Sequence, residues 1–386
     1  MSRLKIAFLG IGSFSHINPS LLAALRQSFP EHQIDWIDLV PLVERNPGPF
    51  LINSGRALWE FRGRIARCPG EWLKRWHWTN YLFDRRSRAA AQRVATGRYQ
   101  FSIQTQSLFD ASVPGIPNFI YTDNTMLANL QSESANRNDL PVSNAWLARE
   151  RSTYEHANAC FVMSTNVARS LTQDYSCSKE KVICAYAGQN CDTEQNGQKR
   201  LDQKSILFVG LNWMRKGGPT LLQAFRLVRA QVPDATLTIV GCAPKIDEPG
   251  CKVLGRLPLS EVAQHYRDAS VFCLPTLREP FGIVFLEAMA HGLPIVGTDV
   301  GALPDFILNG ENGYRVKPGD ARALAGFLVK LLQDPLLCRR MGERSRALSK
   351  KYRWDNVASI MRHTIASAVP GLESDAAFVS GAAVRG

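Results

Sequence analysis

Two glutamates separated by seven residues stand in the segment Arg278-Glu279-Pro280-Phe281-Gly282-Ile283-Val284-Phe285-Leu286-Glu287-Ala288-Met289-Ala290-His291-Gly292-Leu293-Pro294. An apolar run over 269–274 predicts a strand that leads into this segment, and the second glutamate lies in an apolar run typical of a buried helix. Proline suits the first turn of a helix and glycine suits its end, so Pro280 and Gly292 predict the two ends of this helix. The segment therefore predicts a strand, a loop and a helix.

The start of such a helix predicts a phosphate-binding site, because its free N–H groups and positive dipole end attract anions. Carboxylates repel a phosphate, but they accept hydrogen bonds from sugar hydroxyls. The eight residue steps from the first glutamate to the second span roughly 12 Å at about 1.5 Å per residue, the scale of a diphosphate with a sugar at each end. We expect Glu287 to bind a ribose and Glu279 the transferred sugar. The diphosphate would then meet the N–H groups of Phe281, Gly282 and Ile283.

The segment resembles the signature of two glutamates seven residues apart in retaining glycosyltransferases of family 4, the glycosyl transferases group 1. Residues 297–305 (Gly-Thr-Asp-Val-Gly-Ala-Leu-Pro-Asp) and 309–314 (Asn-Gly-Glu-Asn-Gly-Tyr) also resemble this family. Two glutamates near a helix are often merely solvated, but the flanking glycines and prolines and the downstream match favour a functional interpretation. The resemblance is strongest over 205–330 and weaker over 1–190. It implies the GT-B fold, an α/β architecture in which two Rossmann-like domains face a cleft and a C-terminal helix crosses back.

Length and composition agree with two domains, since the chain has 386 residues of which 45% are hydrophobic. We expect an N-terminal acceptor domain over 1–192, joined by a C-terminal helix at about 354–368, and a nucleotide-sugar-binding domain over 205–352. No uninterrupted apolar run approaches the ~20 residues of a membrane span. The nine cysteines include no C-x-x-C pair, which predicts reduced thiols in a cytoplasmic protein and no metal site.

The N-terminal half opens with a Rossmann-type pattern: a strand over 5–10, a glycine turn, a helix over 19–28 and a strand over 34–39. The resemblance places this glycine turn in the acceptor domain, although His16 equally suits a capping or packing role. Many family members have a histidine that contacts the transferred sugar just after the strand predicted here over 118–122, where this chain has Asp123 or Asn124. The residues expected on the acceptor side are Gly12, Ser13, His16, Asp123 and Asn124.

The second half opens with a strand over 205–210, a basic glycine turn and a helix, which again predicts a phosphate site. By resemblance, Lys216 matches the lysine of the family's basic loop, although an ordinary surface lysine is the alternative. The companion arginine of the family falls on Leu211, so Arg215 is expected to replace it. The resemblance also implies that Arg256 and Leu257 border the nucleotide base, largely through backbone groups.

The segment 56–88 combines nine basic residues with seven tryptophans, tyrosines and phenylalanines. The net charge of the chain is +12, and residues 51–100 alone contribute +8. This composition is typical of a membrane-interface patch and equally suits an acceptor bearing a lipid pyrophosphate. The alternative is a helical pair with core aromatics and solvated arginines. Because the apolar positions form no single clean stripe, both interpretations stay open. No nucleic-acid-binding motif accompanies the charge, so no nucleic-acid partner is expected.

The resemblance implies transfer of a hexose from a UDP- or GDP-linked donor to a saccharide or lipid-linked acceptor, with retention and without a metal or other cofactor. Glu279 is the expected catalytic residue, acting by sugar positioning and charge stabilisation. Hydrolysis by paired carboxylates is a poor alternative, because such groups flank one bond at roughly 5–10 Å. A sugar-nucleotide epimerase or phosphorylase of the same fold, or an inactive nucleotide-binding paralogue, remains open. We expect the protein in the cytoplasm, at the inner face of the membrane if the basic segment binds lipid.

Overall fold

The computed structural model describes residues 4–12, 17–44, 47–68, 70–130, 140–190 and 203–372. In these ranges the chain forms two parallel six-stranded sheets, with α-helices between most of the successive strands. The α/β architecture with two Rossmann-like sheets is therefore confirmed.

The first sheet has the strand order β2-β1-β3-β4-β5-β6. Its strands are β1 (Leu4–Gly10), β2 (His32–Asp38), β3 (Phe101–Thr105), β4 (Asn118–Thr122), β5 (Ala159–Val162) and β6 (Val182–Cys184). Strands β3, β4 and β5 are buried along their whole length, as expected for parallel strands covered by helices on both faces. The strand order reverses between β1 and β3, because β2 and β3 pair with opposite sides of β1 around Ile6.

The second sheet has the order β12-β11-β10-β7-β8-β9. Its strands are β7 (Ser205–Val209), β8 (Thr236–Val240), β9 (Cys251–Gly255), β10 (Val271–Leu274), β11 (Ile295–Thr298) and β12 (Gly313–Val316). This is the strand order of the doubly wound dinucleotide-binding fold, in which the chain first builds outward on one side of β7 and then on the other. The strand order therefore reverses between β7 and β10.

Fourteen α-helices lie within the described ranges. Those of the first half are α1 (Ile17–Ser28), α2 (Leu39–Val43), α3 (Pro47–Glu60), α4 (Arg62–Ile65), α5 (Glu71–Arg75), α6 (Asn80–Thr96), α7 (Asn144–His156) and α8 (Thr165–Gln173). Those of the second half are α9 (Gly218–Arg229), α10 (Leu259–Asp268), α11 (Ile283–Ala290), α12 (Ala321–Gln333), α13 (Pro335–Ser349) and α14 (Trp354–Ala368). None of the helices in the described part of the chain has both the length and the apolar character that a membrane span requires.

The described residues divide into two compact units. One unit runs to Tyr186 and resumes at Trp354, and the other is Ala187–Arg353. The last helix belongs to the first unit because α14 packs against α1. Its Arg362 donates hydrogen bonds to the carbonyl of Ser28 at 2.5 Å and to the carboxylate of Glu31 at 2.7 Å.

Three local predictions need correction. Helix α11 begins at Ile283 after a left-handed Gly282, so Pro280 precedes the helix and is not in its first turn. Helix α13 was not predicted. The segment 56–88 forms no simple helical pair, because it contains the end of α3, all of α4 and α5, and the start of α6. Most of the polar linker predicted over 193–204 lies outside the described residues.

Candidate functional site

The reversal of strand order in the second sheet brings two loops together. Strands β7 and β10 are adjacent and parallel, so their carboxyl ends meet at the same edge of the sheet. The loop after β7 contains the basic glycine turn, and the loop after β10 contains the first glutamate of the pair. Ligands of open α/β sheets bind in the crevice at this reversal point. Two motifs separated by about sixty residues in sequence therefore share one position in the fold.

A buried ion pair joins these two loops. The Nζ of Lys216 donates a hydrogen bond to Oε2 of Glu279. The side chains are 11% and 5% exposed, respectively, so the alternative of an ordinary surface lysine is wrong. Burial lowers the pKa of Lys216, whereas the charge and hydrogen bond of Glu279 act in the opposite direction. Lys216 and Glu279 are thus one electrostatic unit, which their separate expected roles did not anticipate.

Backbone hydrogen bonds hold the two loops around this pair. The guanidinium of Arg215 donates to the carbonyl of Arg278 at 2.9 Å, and the N–H of Leu277 donates to the carbonyl of Arg215 at 2.9 Å. The hydroxyl of Thr276 donates to the carbonyl of Arg278 at 3.0 Å. Arg215 therefore lies beside the pair, as the sequence predicted for a replacement arginine. The side chain of Leu211, at the family's usual arginine position, is 68% exposed.

Two glycines allow the loops to approach closely. Gly217 has φ +74°, and a Cβ there would lie 1.8 Å from the carbonyl oxygen of Pro275. Gly301 has φ +55°, and a Cβ there would lie 1.8 Å from the carbonyl oxygen of Glu279. Any larger residue at either position would push a loop away from its neighbour. The glycine motif of 297–305 therefore supports the backbone of Glu279.

The second glutamate occupies a different environment. Glu287 lies on the buried side of α11, and its carboxylate accepts a hydrogen bond from the hydroxyl of Tyr266 at 3.0 Å. The ring of Tyr266 stacks on His291, with centroids 5.3 Å apart. Sequence reasoning missed this tyrosine as a partner of Glu287, because its position in α10 indicates only that Tyr266 is buried. The structure does not bring the carboxylate of Glu287 into the ion pair of Glu279.

The start of α11 has the features of an anion site. Gly282 is its N-cap, and within the described ranges no side chain caps this end. The first N–H groups of a helix have no partner inside it. The side chain of Phe281 is buried and packs edge-on against Phe306 at 5.8 Å, so Phe281 offers a ligand only its backbone. The predicted contribution of Phe281, Gly282 and Ile283 is therefore restricted to main-chain groups and the helix dipole.

The residues expected near the base follow the edge strand of the same sheet. Arg256 and Leu257 come directly after β9, which is two strands away from β7. At about 4.8 Å between neighbouring strands, this distance is roughly 10 Å. Arg256 is exposed and Leu257 is half-buried. Both lie at the carboxyl edge that contains the ion pair, without joining it.

On the acceptor side, the structure describes three of the five expected residues. Gly12 follows β1, and its N–H donates to the carboxylate of Asp38 at 3.2 Å. Asp123 and Asn124 follow β4, and the amide of Asn124 donates to the side-chain oxygen of Asn129 at 3.0 Å. Ser13 and His16 lie outside the described residues. Asp38 was missed by sequence reasoning, although an acidic residue at the end of the second strand is a recognisable signal.

A buried carboxylate anchors the loop that contains Asp123 and Asn124. Glu150 of α7 accepts hydrogen bonds from the N–H of Met126 at 3.1 Å, from the hydroxyl of Ser107 at 2.8 Å and from that of Tyr154 at 3.2 Å. The hydroxyl of Tyr175 donates to its other oxygen. Burial raises the pKa of Glu150 to about 6, against the lowering effect of these hydrogen bonds.

This raised pKa predicts a pH-dependent stability. The folded state holds the Glu150 proton up to about pH 6, whereas the unfolded state releases it near the ordinary value of 4.5. The contribution of Glu150 to the free energy of unfolding is therefore largest below pH 4.5 and falls by about 2 kcal/mol as the pH rises to 6 and above. Glu150→Gln removes this change. Chemical denaturation at several pH values checks the prediction, and a constant difference between the two proteins between pH 4.5 and 7 would contradict it.

Comparison with known proteins identifies the second unit. Residues 203–334 match the family described as glycosyl transferases group 1. This match covers most of the second unit and about a third of the chain. The match contains the loop after β7, the loop after β10 and both glutamates, so the buried ion pair lies inside the matched region.

The curated proteins that match this chain include named glycosyltransferases. The chain is 24% identical over 279 residues to a D-inositol 3-phosphate glycosyltransferase of Corynebacterium aurimucosum. This match covers 65% of this chain and 66% of that protein. It is 36% identical over 170 residues to a phosphatidyl-myo-inositol mannosyltransferase of Mycobacterium leprae, covering 41% and 46%. The chain thus spans about two thirds of the first relative and about half of the second.

Solved structures extend the likeness to nearly the whole chain. The Anabaena protein Alr3699/HepE in complex with UDP has a TM-score of 0.67 at 16% identity, and the match covers 94% of this chain and 100% of that one. A sucrose-phosphate synthase from Thermosynechococcus elongatus has a TM-score of 0.64 at 18% identity, covering 93% and 97%. At these identities the likeness shows the fold, which is GT-B. The expected fold is confirmed, and the match to glycosyl transferases group 1 agrees with the expected family.

Proposed function

We propose that this chain is a retaining glycosyltransferase of family 4 that transfers a hexose from a UDP- or GDP-linked donor without a bound metal ion. The observation that supports this most strongly is the buried pair of Lys216 and Glu279. It lies where the strand order reverses, within the part of the chain that matches a glycosyltransferase family. A cation and an anion lie side by side at the carboxyl edge of the sheet. This arrangement suits a substrate in which a diphosphate is joined to a neutral sugar.

The proposed roles follow from charge. The donor diphosphate binds at the start of α11 and takes Lys216 and Arg215 as its counter-charges. Glu279 accepts a hydrogen bond from a hydroxyl of the hexose and stabilises the positive charge that develops at its anomeric carbon. Glu287 binds the ribose, which requires its carboxylate to accept a second hydrogen bond beside that of Tyr266. Arg256 and Leu257 border the base.

The proposed reaction is balanced without a covalent enzyme intermediate. The bond between the anomeric carbon and the leaving phosphate oxygen breaks, and the acceptor oxygen bonds to that carbon from the same face. The acceptor proton passes to the departing diphosphate. The cations of the basic loop and the dipole of α11 stabilise the charge on the diphosphate, which is work that a metal ion does in other transferases.

The acceptor is proposed as a saccharide or a lipid-linked saccharide, bound beside Gly12, Asp123 and Asn124. The names of the relatives support a polyol or lipid acceptor, and the UDP complex of the Anabaena protein supports a nucleotide donor. We propose a cytoplasmic protein, because each of the eight cysteines in the described ranges is a free thiol.

Thermal unfolding in the presence of nucleotides tests the donor site. We expect UDP or GDP, and the matching sugar conjugate, to raise the unfolding temperature, whereas ADP leaves it nearly unchanged. A ligand that binds the native state at 100 times its Kd adds roughly 2.7 kcal/mol of stability.

Product analysis then separates the proposed reaction from its alternatives. Transfer requires an acceptor, whereas an epimerase changes the donor without one and a phosphorylase requires inorganic phosphate. A nucleotide-induced shift with no turnover under any of these conditions would leave the inactive paralogue, which the exposed Leu211 at the family's arginine position favours. The absence of any shift and any turnover would remove the proposal.

A further inference from the structure

Helix α3 presents large apolar side chains to solvent. The exposed fractions are 69% for Leu51, 52% for Ile52, 51% for Leu58 and 65% for Trp59. At about 100° per residue, these four positions fall within an arc of roughly 120° on one side of the helix. We call these four residues the α3 outer face. Apolar residues scattered singly over a surface are normal, but four on one side of one helix form a patch.

The opposite side of α3 is packed against the first unit. Ala57 is fully buried, and Asn53 donates a hydrogen bond to the carbonyl of Trp76 at 2.9 Å while accepting one from Thr79. Glu60 is the one acidic residue in the sequence of α3. Its carboxylate accepts two hydrogen bonds from Asn80, at 3.0 and 2.9 Å, and so is engaged within the unit. The internal packing of α3 therefore fixes its apolar outer face toward solvent.

Basic side chains surround the outer face. Arg56 lies at its edge, and the guanidinium of Arg62 lies over the ring of Trp59 at 4.4 Å from the centroid. Arg67 and Lys74 are exposed on the chain that follows, as is the apolar Leu73, at 68%. Residues 47–75 contain six basic and two acidic residues, a net charge of +4. The segment thus combines exposed apolar side chains, an exposed tryptophan and several cationic side chains.

We propose that the α3 outer face docks on a lipid bilayer that contains anionic headgroups. Leucine, isoleucine and tryptophan side chains enter the boundary between headgroups and acyl chains, while Arg56, Arg62 and Arg67 extend to lipid phosphates. Charge complementarity selects this occupant over a second copy of the chain, because two such faces would bring like charges together. The inference goes beyond the proposed function and does not depend on transfer activity.

Vesicle flotation tests the docking surface directly. Vesicles of phosphatidylcholine with about one-third phosphatidylglycerol provide the anionic surface, and pure phosphatidylcholine is the comparison. We expect the full-length protein to bind the anionic vesicles and to be released by salt, since screening weakens the arginine contacts. The double variant Leu51→Ser/Trp59→Ser should lower the partition constant about tenfold or more. Arg56→Gln/Arg62→Gln should lower it on anionic vesicles alone.

Matched controls lie in the second unit. Leu336 of α13 is 75% exposed, and Arg322 of α12 is exposed. The variants Leu336→Ser and Arg322→Gln therefore remove an exposed apolar side chain and an exposed arginine from a surface outside the α3 outer face. Both should bind vesicles like the unaltered protein. Unaltered thermal unfolding is expected for every variant, because the substituted side chains are on the surface.

Three outcomes would overturn the proposal. These are no vesicle binding by the unaltered protein, equal binding by the Leu51→Ser/Trp59→Ser variant, and a dimer in sedimentation velocity that this variant abolishes. The last result would make a second copy the occupant. Because these experiments contain neither donor nor acceptor, a failure here leaves the glycosyltransferase proposal standing.

Discussion

Replacing Lys216 by alanine is expected to reduce sugar transfer by about 100-fold or more and to weaken nucleoside diphosphate binding on the order of tenfold. The side chain is buried beside Glu279 at the reversal point of the sheet. Its removal takes away the main counter-charge for the diphosphate and leaves a buried carboxylate without its cation. The free energy of unfolding should therefore also fall, by about 3 kcal/mol. Titration calorimetry, steady-state kinetics and denaturant unfolding measure the three effects.

A matched control exists at the other end of the same strand. Lys204 immediately precedes β7 and pairs with Asp234 at 2.9 Å on the surface. Lys204→Ala removes the same charge from the same unit, and we expect little change in binding, turnover or stability because exposed pairs contribute little. If Lys216→Ala behaves like Lys204→Ala in binding and turnover, Lys216 is not part of the donor site.

Replacing Glu279 by glutamine is expected to reduce turnover by about 100-fold or more while nucleoside diphosphate binding changes only a few-fold. Glutamine keeps the size of the side chain and one acceptor oxygen, but it loses the negative charge that stabilises the anomeric carbon in the transition state. Because the loss occurs in the transition state, it should appear in kcat more than in the apparent KM for the donor. Glu287→Ala should show the opposite pattern and mainly raise that KM.

A double variant separates catalysis from support of the fold. Lys216→Met/Glu279→Gln replaces the buried pair by neutral side chains of similar size. Such replacements are often neutral or stabilising, so we expect most of the lost stability to return while turnover stays low. If Glu279→Gln retains turnover within a few-fold, Glu279 has no part in the chemistry and serves to hold Lys216. Glu311→Gln, which alters an exposed pair with Arg344, is the control for the charge change.

Local sequence patterns predicted the backbone elements well. Strand β4 has the predicted bounds, and strand β1 begins one residue before the predicted 5–10 and ends at the predicted residue. Apolar runs between glycines, prolines and polar turns determine such elements, because these residues act on their own stretch of backbone. Pro280 misled the sequence reading because proline is also common in the loop just before a helix.

Interactions over long sequence distances escaped sequence reasoning. The spacing of the two glutamates along the chain indicates one site for both. In the structure, however, Glu279 forms an ion pair with Lys216, and Glu287 accepts a hydrogen bond from the hydroxyl of Tyr266. The strand order decides which loops become neighbours, and that order is a property of the whole unit. The α3 outer face was hidden for a similar reason. The segment 56–88 gives no single apolar stripe, whereas the helix bounds and the buried side of α3 together separate packed from exposed side chains.

The sequence by itself determined the α/β class, the two Rossmann-like sheets and the resemblance of the second unit to glycosyl transferases group 1, because local apolar patterns and short glycine motifs encode them. Only the tertiary structure decided that Lys216 and Glu279 form one buried ion pair, that Glu150 anchors the loop of Asp123, and that α3 presents an apolar face to solvent. The physical reason is that burial and charge pairing depend on which distant segments pack together, and one-dimensional spacing does not record that.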